Sequence, residues 1–275
     1  MNGKFQQEWI HHIKEGEGPP VILVHGIAAS LSDWDALMPE LVRAGFSVYA
    51  LDLLGHGESL KPRERRFYHA QMVYAVFEAW LQSLQLERPP ILIGHSLGGY
   101  LGLQYSLLHP QGLRGLVLID PFYSQKQITP LLRRLNRYPQ WGEKVLSLVP
   151  EWLLNLVMGL DPTNRSHFDP QSHQRIANDY KRASPRILYI PATTADLTSR
   201  LGEVQTASLV IWGERDLTLS PPSFKILLQN LPNASGRGLP GCGHQPHIGK
   251  PEEVNRMILQ FIEGLRQGKA AGSDH

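Results

Sequence analysis

Five strand-sized segments, at residues 21–25, 47–52, 91–95, 113–120 and 208–213, alternate along the chain with stretches of helical periodicity. Several hold an unbroken apolar run, VILV at 21–24, LVLI at 116–119 and LVIW at 209–212. A strand with one face in water alternates apolar and polar residues, whereas a run that is apolar throughout suits a parallel sheet covered on both faces. Parallel neighbours need crossovers, and the periodic stretches supply them. Within residues 32–44, Trp34, Leu37, Met38, Leu41 and Val42 recur at helical spacing, with Ser32 or Asp33 to cap and Gly45 to stop. Val73, Val76, Phe77, Trp80, Leu81 and Leu84 make a second stripe. Pro251 opens a third, through Val254, Met257, Ile258, Phe261, Ile262 and Leu265. A weaker strand is expected at 237–240. The pattern predicts an α/β fold, a mostly parallel central sheet flanked by helices, with right-handed crossovers.

The alternation stops between residues 121 and 200. LLRRLNRY, EKVLSLVPEWLLNLVMGL and SHQRIANDYKR read as short helices separated by Pro139, Pro150, Pro162 and Pro170. The expected organisation is a core domain in two parts, 1–120 and 201–275, interrupted by a helical insertion at 121–200. The insertion holds 11 Lys and Arg against 6 Asp and Glu, a net of +5 on a chain whose total is +2. Solvated helix faces account for that excess. So would a preference for anionic substrates or for an anionic membrane surface. The loop KPRERRF at 61–67 reads as solvated in the same way.

A net charge of +2 on 275 residues lacks the basic excess of a dedicated nucleic-acid binder. No apolar run approaches the roughly 20 residues that span a bilayer. The first 18 residues contain no apolar signal core. One cysteine, Cys242, permits neither an intramolecular disulfide nor a Cys-rich metal site. The expectation is a soluble, cytoplasmic protein with no metal and no cofactor, no nucleic-acid partner and no stable membrane insertion.

The chemistry concentrates in ILIGHSLGGYLGLQYS. A strand runs into Gly94-His95-Ser96-Leu97-Gly98 and a helix follows at once. A serine on such a turn is pushed out of the sheet, glycines two before and two after let the neighbouring backbone approach, and the helix N-terminus favours negative charge beside the hydroxyl. A serine hydroxyl needs a base to take its proton. His244, in the Gly-rich loop LPGCGHQPHIGKP, is the candidate, with His247 as competitor. The imidazole in turn needs an orienting carboxylate. Asp216, in the loop beyond the 208–213 strand, is preferred over Asp120, which ends LVLID. Oxyanion donors are expected from the backbone N–H of Leu97 and of Ile27, the latter in HGIAAS. His25 in that motif reads as a structural histidine. His56 and Glu58 of DLLGHGES are given no catalytic role. Phe122, Tyr123, Trp141 and Trp152 are candidates to line a substrate pocket.

Four motifs together, HGIAAS, DLLGHGES, GHSLGG, and GERD with CGHQPH, make the chain resemble the α/β-hydrolase superfamily, in the group with a helical cap. The resemblance spans about residues 20–265. It departs from the pattern at Gly249-Lys250, where an acidic residue is usual. It implies the α/β-hydrolase fold and a serine nucleophile, Ser96, with Asp216 and His244. It also implies an esterase, lipase, thioesterase, lactonase or carbon–carbon bond hydrolase, and the expected activity among these is a carboxylesterase acting on small to medium hydrophobic esters. Thioesters, lactones or carbon–carbon bonds could be cleaved by the same triad, and a hydrolase-fold binding or receptor protein remains a further reading. Relatives that hydrolyse epoxides or haloalkanes carry Asp at the nucleophile position, so Ser96 argues against both.

Overall fold

The computed structural model describes residues 8–129, 133, 140, 143 and 170–268. Seven strands form one sheet: β1 His12–Glu15, β2 Pro20–Val24, β3 Ser47–Leu51, β4 Ile91–His95, β5 Gly115–Ile119, β6 Ser208–Gly213 and β7 Ala234–Leu239. Their order across the sheet is β1-β3-β2-β4-β5-β6-β7. All neighbours are parallel except β1, which pairs antiparallel with β3. Among the described residues the α-helices are α1 Met38–Arg43, α2 Ala70–Ser83, α3 Leu97–Leu108, α4 Pro170–Arg182, α5 Pro222–Asn230, α6 Pro246–Gly249 and α7 Pro251–Arg266.

The apolar strands are apolar because both faces are covered. Ile22, Val24, Leu92, Leu116, Leu118 and Val210 point to one side, against α2 and α3. Val21, Leu23, Ile91, Ile93, Val117, Leu209 and Ile211 point to the other, against α1 and α7. Neighbours along a strand alternate between faces, and each fully buried Leu, Ile or Val contributes about 1.5–3 kcal/mol.

The first expected helix, 32–44, divides in two. Leu31–Trp34 is a tight 3₁₀ turn, capped by Ser30 Oγ accepting from the Ser32 N–H. The α-helix begins only at Met38, where Pro39 occupies a position that needs no intrahelical donor. Strand β7 starts at Ala234, earlier than expected, and β5 starts later, at Gly115. Among the described residues, no helix is long and apolar enough to cross a membrane.

Two features of this topology decide where a ligand can sit. Strand β2 is flanked by β3 on one side and β4 on the other, so the chain reverses its direction of winding between β2 and β4. Open α/β sheets bind ligands outside the C-terminal ends of strands at such a switch point. Residues 120–207 make a long excursion in sequence between β5 and β6. The described part of that excursion returns over the strand ends. In α4, Asp179 accepts from Ser30 and Ser32, and Arg175 pairs with Asp35. Arg182 pairs with Glu58, and the Ser184 N–H donates to the Gly55 carbonyl. The stretches LLRRLNRY and EKVLSLVPEWLLNLVMGL lie almost wholly outside the described residues.

Asp179 carries a pH dependence. Its carboxyl is buried, and burial, reinforced by Asp33 and Asp52, raises its pKa to about 6 against the opposing hydrogen bonds from Ser30 and Ser32. The folded state therefore holds this proton more tightly than the unfolded chain. Its contribution is fully present below about pH 4 and is lost as pH rises through 6. Asp179→Asn, which keeps an acceptor for the serines and removes the charge, should raise the urea midpoint more at pH 8 than at pH 4.5. The gain expected is on the order of 1–3 kcal/mol. An equal change at both pH values would contradict it.

Candidate active site

At the switch point β4 ends at His95, and Ser96 follows with φ 48° and ψ −108°, immediately before α3. A non-glycine residue there is strained by about 1–3 kcal/mol. Three backbone hydrogen bonds hold it: the Ser96 N–H donates to the Ile119 carbonyl at 3.0 Å, and the Ser96 carbonyl accepts from Tyr100 at 3.1 Å and from Phe122 at 3.0 Å. The flanking glycines are required by space. A Cβ on Gly98 would lie 2.1 Å from the Val24 carbonyl oxygen, and one on Gly94 would lie 2.5 Å from the Gly98 carbonyl carbon. Both obstacles are backbone and cannot turn aside. Gly98→Ala is expected to cost at least about 1–3 kcal/mol, seen as a lowered thermal midpoint. An unchanged midpoint would mean that the turn can open.

The loop after β7 brings His244 to this serine. His244 Nε2 lies 3.1 Å from Ser96 Oγ, and its Nδ1 lies 2.7 Å from Asp216 Oδ2. Asp216, on the loop after β6, is buried. Its other oxygen, Oδ1, accepts the Thr218 N–H at 2.7 Å and the Leu219 N–H at 3.0 Å. A carboxylate so held offers one oxygen to one imidazole nitrogen. Nδ1 then carries the proton, and Nε2 presents its lone pair to the serine hydroxyl.

Asp120 stands behind this pair. Its Oδ1 accepts the Gly213 N–H at 3.0 Å. Burial, then the charge of Asp216, pushes its pKa well above the usual carboxylate range. The carboxyl that faces His244 is that of Asp216, at 2.7 Å, with Asp120 packed behind it. His247 does not reach Ser96. It packs between the Trp34 and His95 rings, with centroids at 5.1 and 4.6 Å.

The loop after β2 passes over the serine. A Cβ built on Gly26 would lie 3.2 Å from Ser96 Cβ, which places the next residue, Ile27, near that serine. The Leu97 N–H is at the first helical position, where no intrahelical carbonyl can take it. His25 fixes this loop. Its Nδ1–H donates to the Gly26 carbonyl at 2.6 Å, and its Nε2 accepts the Leu53 N–H at 2.9 Å. Both ring nitrogens are thereby used, and burial lowers its pKa. Asp52 of DLLGHGES ties the same region, accepting from the Leu31 and Glu58 N–H groups.

Phe122 adjoins the serine through its backbone, and its ring centroid is 6.1 Å from that of Tyr100. Tyr123 is buried and is turned toward Ser223 of α5. Trp141 and Trp152 lie outside the described residues. Among the described residues, two groups bring three possible metal-ligand atoms within 4.8 Å of one another: Asp120, Asp216 and His244, and Asp33, His95 and His247. In the first, His244 Nδ1 is already committed to Asp216. The second is wholly buried and has no sequence signature as a group. Its members come from three distant parts of the chain and share no motif.

A model of the alpha/beta hydrolase fold family matches residues 19–251. The chain belongs to the α/β-hydrolase fold family. Among similar members, bifunctional epoxide hydrolase 2 of Sus scrofa is 23% identical over 296 residues, covering 92% of this chain and 53% of that protein. The chain thus spans about half the length of that relative. A 2-hydroxy-6-oxononadienedioate/2-hydroxy-6-oxononatrienedioate hydrolase of Pseudomonas putida is 26% identical over 268 residues, covering 92% of this chain and 91% of that one. The solved structure of a thermophilic esterase from Thermogutta terrifontis superposes with a TM-score of 0.79 at 24% identity over 93% of each chain. At that identity, the likeness speaks for the α/β-hydrolase fold alone.

Proposed function

We propose that this α/β-hydrolase is a serine hydrolase that cleaves carboxylic esters of small to medium hydrophobic substrates through an acyl-enzyme. The observation that carries the reading is the line Ser96 Oγ–His244 Nε2 at 3.1 Å and His244 Nδ1–Asp216 Oδ2 at 2.7 Å. His244 removes the hydroxyl proton as Ser96 attacks the carbonyl carbon. The Ile27 and Leu97 N–H groups receive the oxyanion. Asp216 stabilises the imidazolium, which then protonates the leaving alcohol. Water, deprotonated by the same imidazole, releases the acid. Every step uses groups of this chain. Epoxide opening, the activity in the pig protein's name, is not proposed, because Ser96 stands where a carboxylate nucleophile would be needed.

Residues 121–200 are proposed as a lid. Support comes from the contacts of α4 with Ser30, Ser32, Asp35 and Glu58, all on loops at the C-terminal ends of β2 and β3. Phe122, Trp141 and Trp152 would shape the acyl pocket, with Tyr123 packed behind. Carbon–carbon bond hydrolysis by the same triad is the second reading. It is favoured by the likeness to the Pseudomonas putida enzyme over nearly the full length of both chains.

A p-nitrophenyl ester series from acetate to decanoate, run beside a meta-cleavage diketone, separates the two. The ester reading expects a maximum in kcat/KM at short or medium chains and at least about tenfold slower diketone turnover. The reverse order would establish the second reading. Trp152→Ala should change the short-to-medium ratio more than it changes the rate at which Ser96 is labelled. An unchanged ratio would reduce the segment to a structural insertion.

A further inference from the structure

Behind the nucleophile lies a buried group that the proposed chemistry does not use. His95, the residue before Ser96, places its Nε2 2.8 Å from the backbone carbonyl oxygen of His244. A carbonyl only accepts, so Nε2 carries the proton and donates. The ring is neutral, since burial first, then the neighbouring His247 and His244, holds its pKa well below the usual histidine range. Its Nδ1 is therefore a bare lone pair, and it has no hydrogen-bond partner. His247 packs on that ring at 4.6 Å between centroids and on Trp34 at 5.1 Å. Its Nε2 is 3.7 Å from Asp33 Oδ2. Asp33, His95 and His247 are each no more than 4% exposed. The loop after β2 is fitted to this stack, for a Cβ on Gly26 would meet His95 Nδ1 at 2.7 Å.

We propose that His95 is a positioning residue: a strut, wedged from behind by His247, Trp34 and Asp33, whose Nε2–H fixes the carbonyl of His244 and so sets the imidazole at its distance from Ser96. The proposal rests on the serine-hydrolase reading of Ser96 and His244. Its physical basis is the geometry of the elbow. Ser96 is held by three backbone bonds, to Ile119 of β5, Tyr100 of α3 and Phe122 just beyond β5, whereas His244 sits in a loop between β7 and the four-residue α6. The side chain adjoining the nucleophile grips the backbone of the base directly, so the two reacting groups share one rigid link. A base misplaced by about 1 Å can cost about 10² in rate.

The test compares wild type, His95→Met and His95→Gln. Met fills the space without a donor, and Gln restores an N–H of similar reach. The readouts are the thermal midpoint, the rate of fluorophosphonate labelling, and kcat and KM for p-nitrophenyl acetate. His95→Met should slow labelling and kcat by about 10- to 100-fold with KM within about twofold, and His95→Gln should recover to within about threefold of wild type. Equal rates in folded Met and Gln variants, whether both fast or both slow, would overturn the strut. Should His95→Met not fold, ¹⁵N-histidine NMR of the wild type decides, with the His95 signal assigned by its loss in His95→Gln. A slowly exchanging Nε2–H tautomer is expected, and an Nδ1–H tautomer would overturn the proposal. Labelling that EDTA abolishes and zinc restores, in wild type but not in His247→Gln, would replace the strut with an ion site at Asp33, His95 and His247. A wild type that is not labelled at all would instead remove the underlying reading of Ser96.

Discussion

Ser96→Ala and His244→Ala should each lower ester turnover by roughly 10⁴- to 10⁶-fold, and the double variant should be little worse than either. The non-additivity follows from the geometry. In the proposed mechanism the serine hydroxyl reacts only while His244 Nε2, 3.1 Å away, takes its proton, so losing either partner loses the same step. Asp216→Asn should hurt less than Ser96→Ala. It leaves the nucleophile and base in place but turns an acceptor of the Nδ1–H into a group that can donate, favouring the wrong tautomer. His247→Ala should stay far more active than His244→Ala, because the His247 ring lies against Trp34 and Asp33 and not against Ser96. A His247 variant as inactive as the His244 variant, in a folded protein, would contradict the assignment of the base. Near-normal turnover in Asp216→Ala with loss in Asp120→Ala would move the acid to the end of β5.

The second large effect is carried by the backbone. Ile27→Ala keeps its N–H and should remain active apart from packing losses. Ile27→Pro removes the donor and should cost at least about 10² in turnover, the usual consequence of losing one oxyanion contact. The comparison is specific because the loop is otherwise pinned, with His25 holding the Gly26 carbonyl on one side and the Leu53 N–H on the other. Equal activity in the two variants, with unchanged circular dichroism, would place the second donor elsewhere.

Central strands were readable from sequence because burial on both faces leaves an all-apolar run, as in β2, β4 and β6. Strand β1, HIKE, left no such mark. It is an exposed edge with one apolar residue in four, and its pairing with β3 comes from tertiary placement. The division of the first helix was also hidden, since Trp34 and Leu37 keep helical spacing while Ser30 and Pro39 set separate starts. Ser96, Asp216 and His244 could be selected because strand-to-loop transitions in a parallel sheet all open on one side, so three loops far apart in sequence had to converge. The buried stack of Asp33, His95 and His247 could not be read in this way. His95 sits inside a motif whose serine takes the attention, and Asp33 and His247 look like a cap and a rival base until the fold packs them together. Asp179 was likewise invisible, one acidic residue among several in the insertion, until Ser30 and Ser32 appeared as its partners.

The central claim is that Ser96 is an activated nucleophile, and intact-protein mass spectrometry with a fluorophosphonate tests it most directly. One adduct per chain, mapped to the Ser96 peptide, is predicted for the wild type. Labelling should be absent in Ser96→Ala and slowed by orders of magnitude in His244→Ala. No adduct on folded wild-type protein, or an undiminished adduct in Ser96→Ala, would contradict the account.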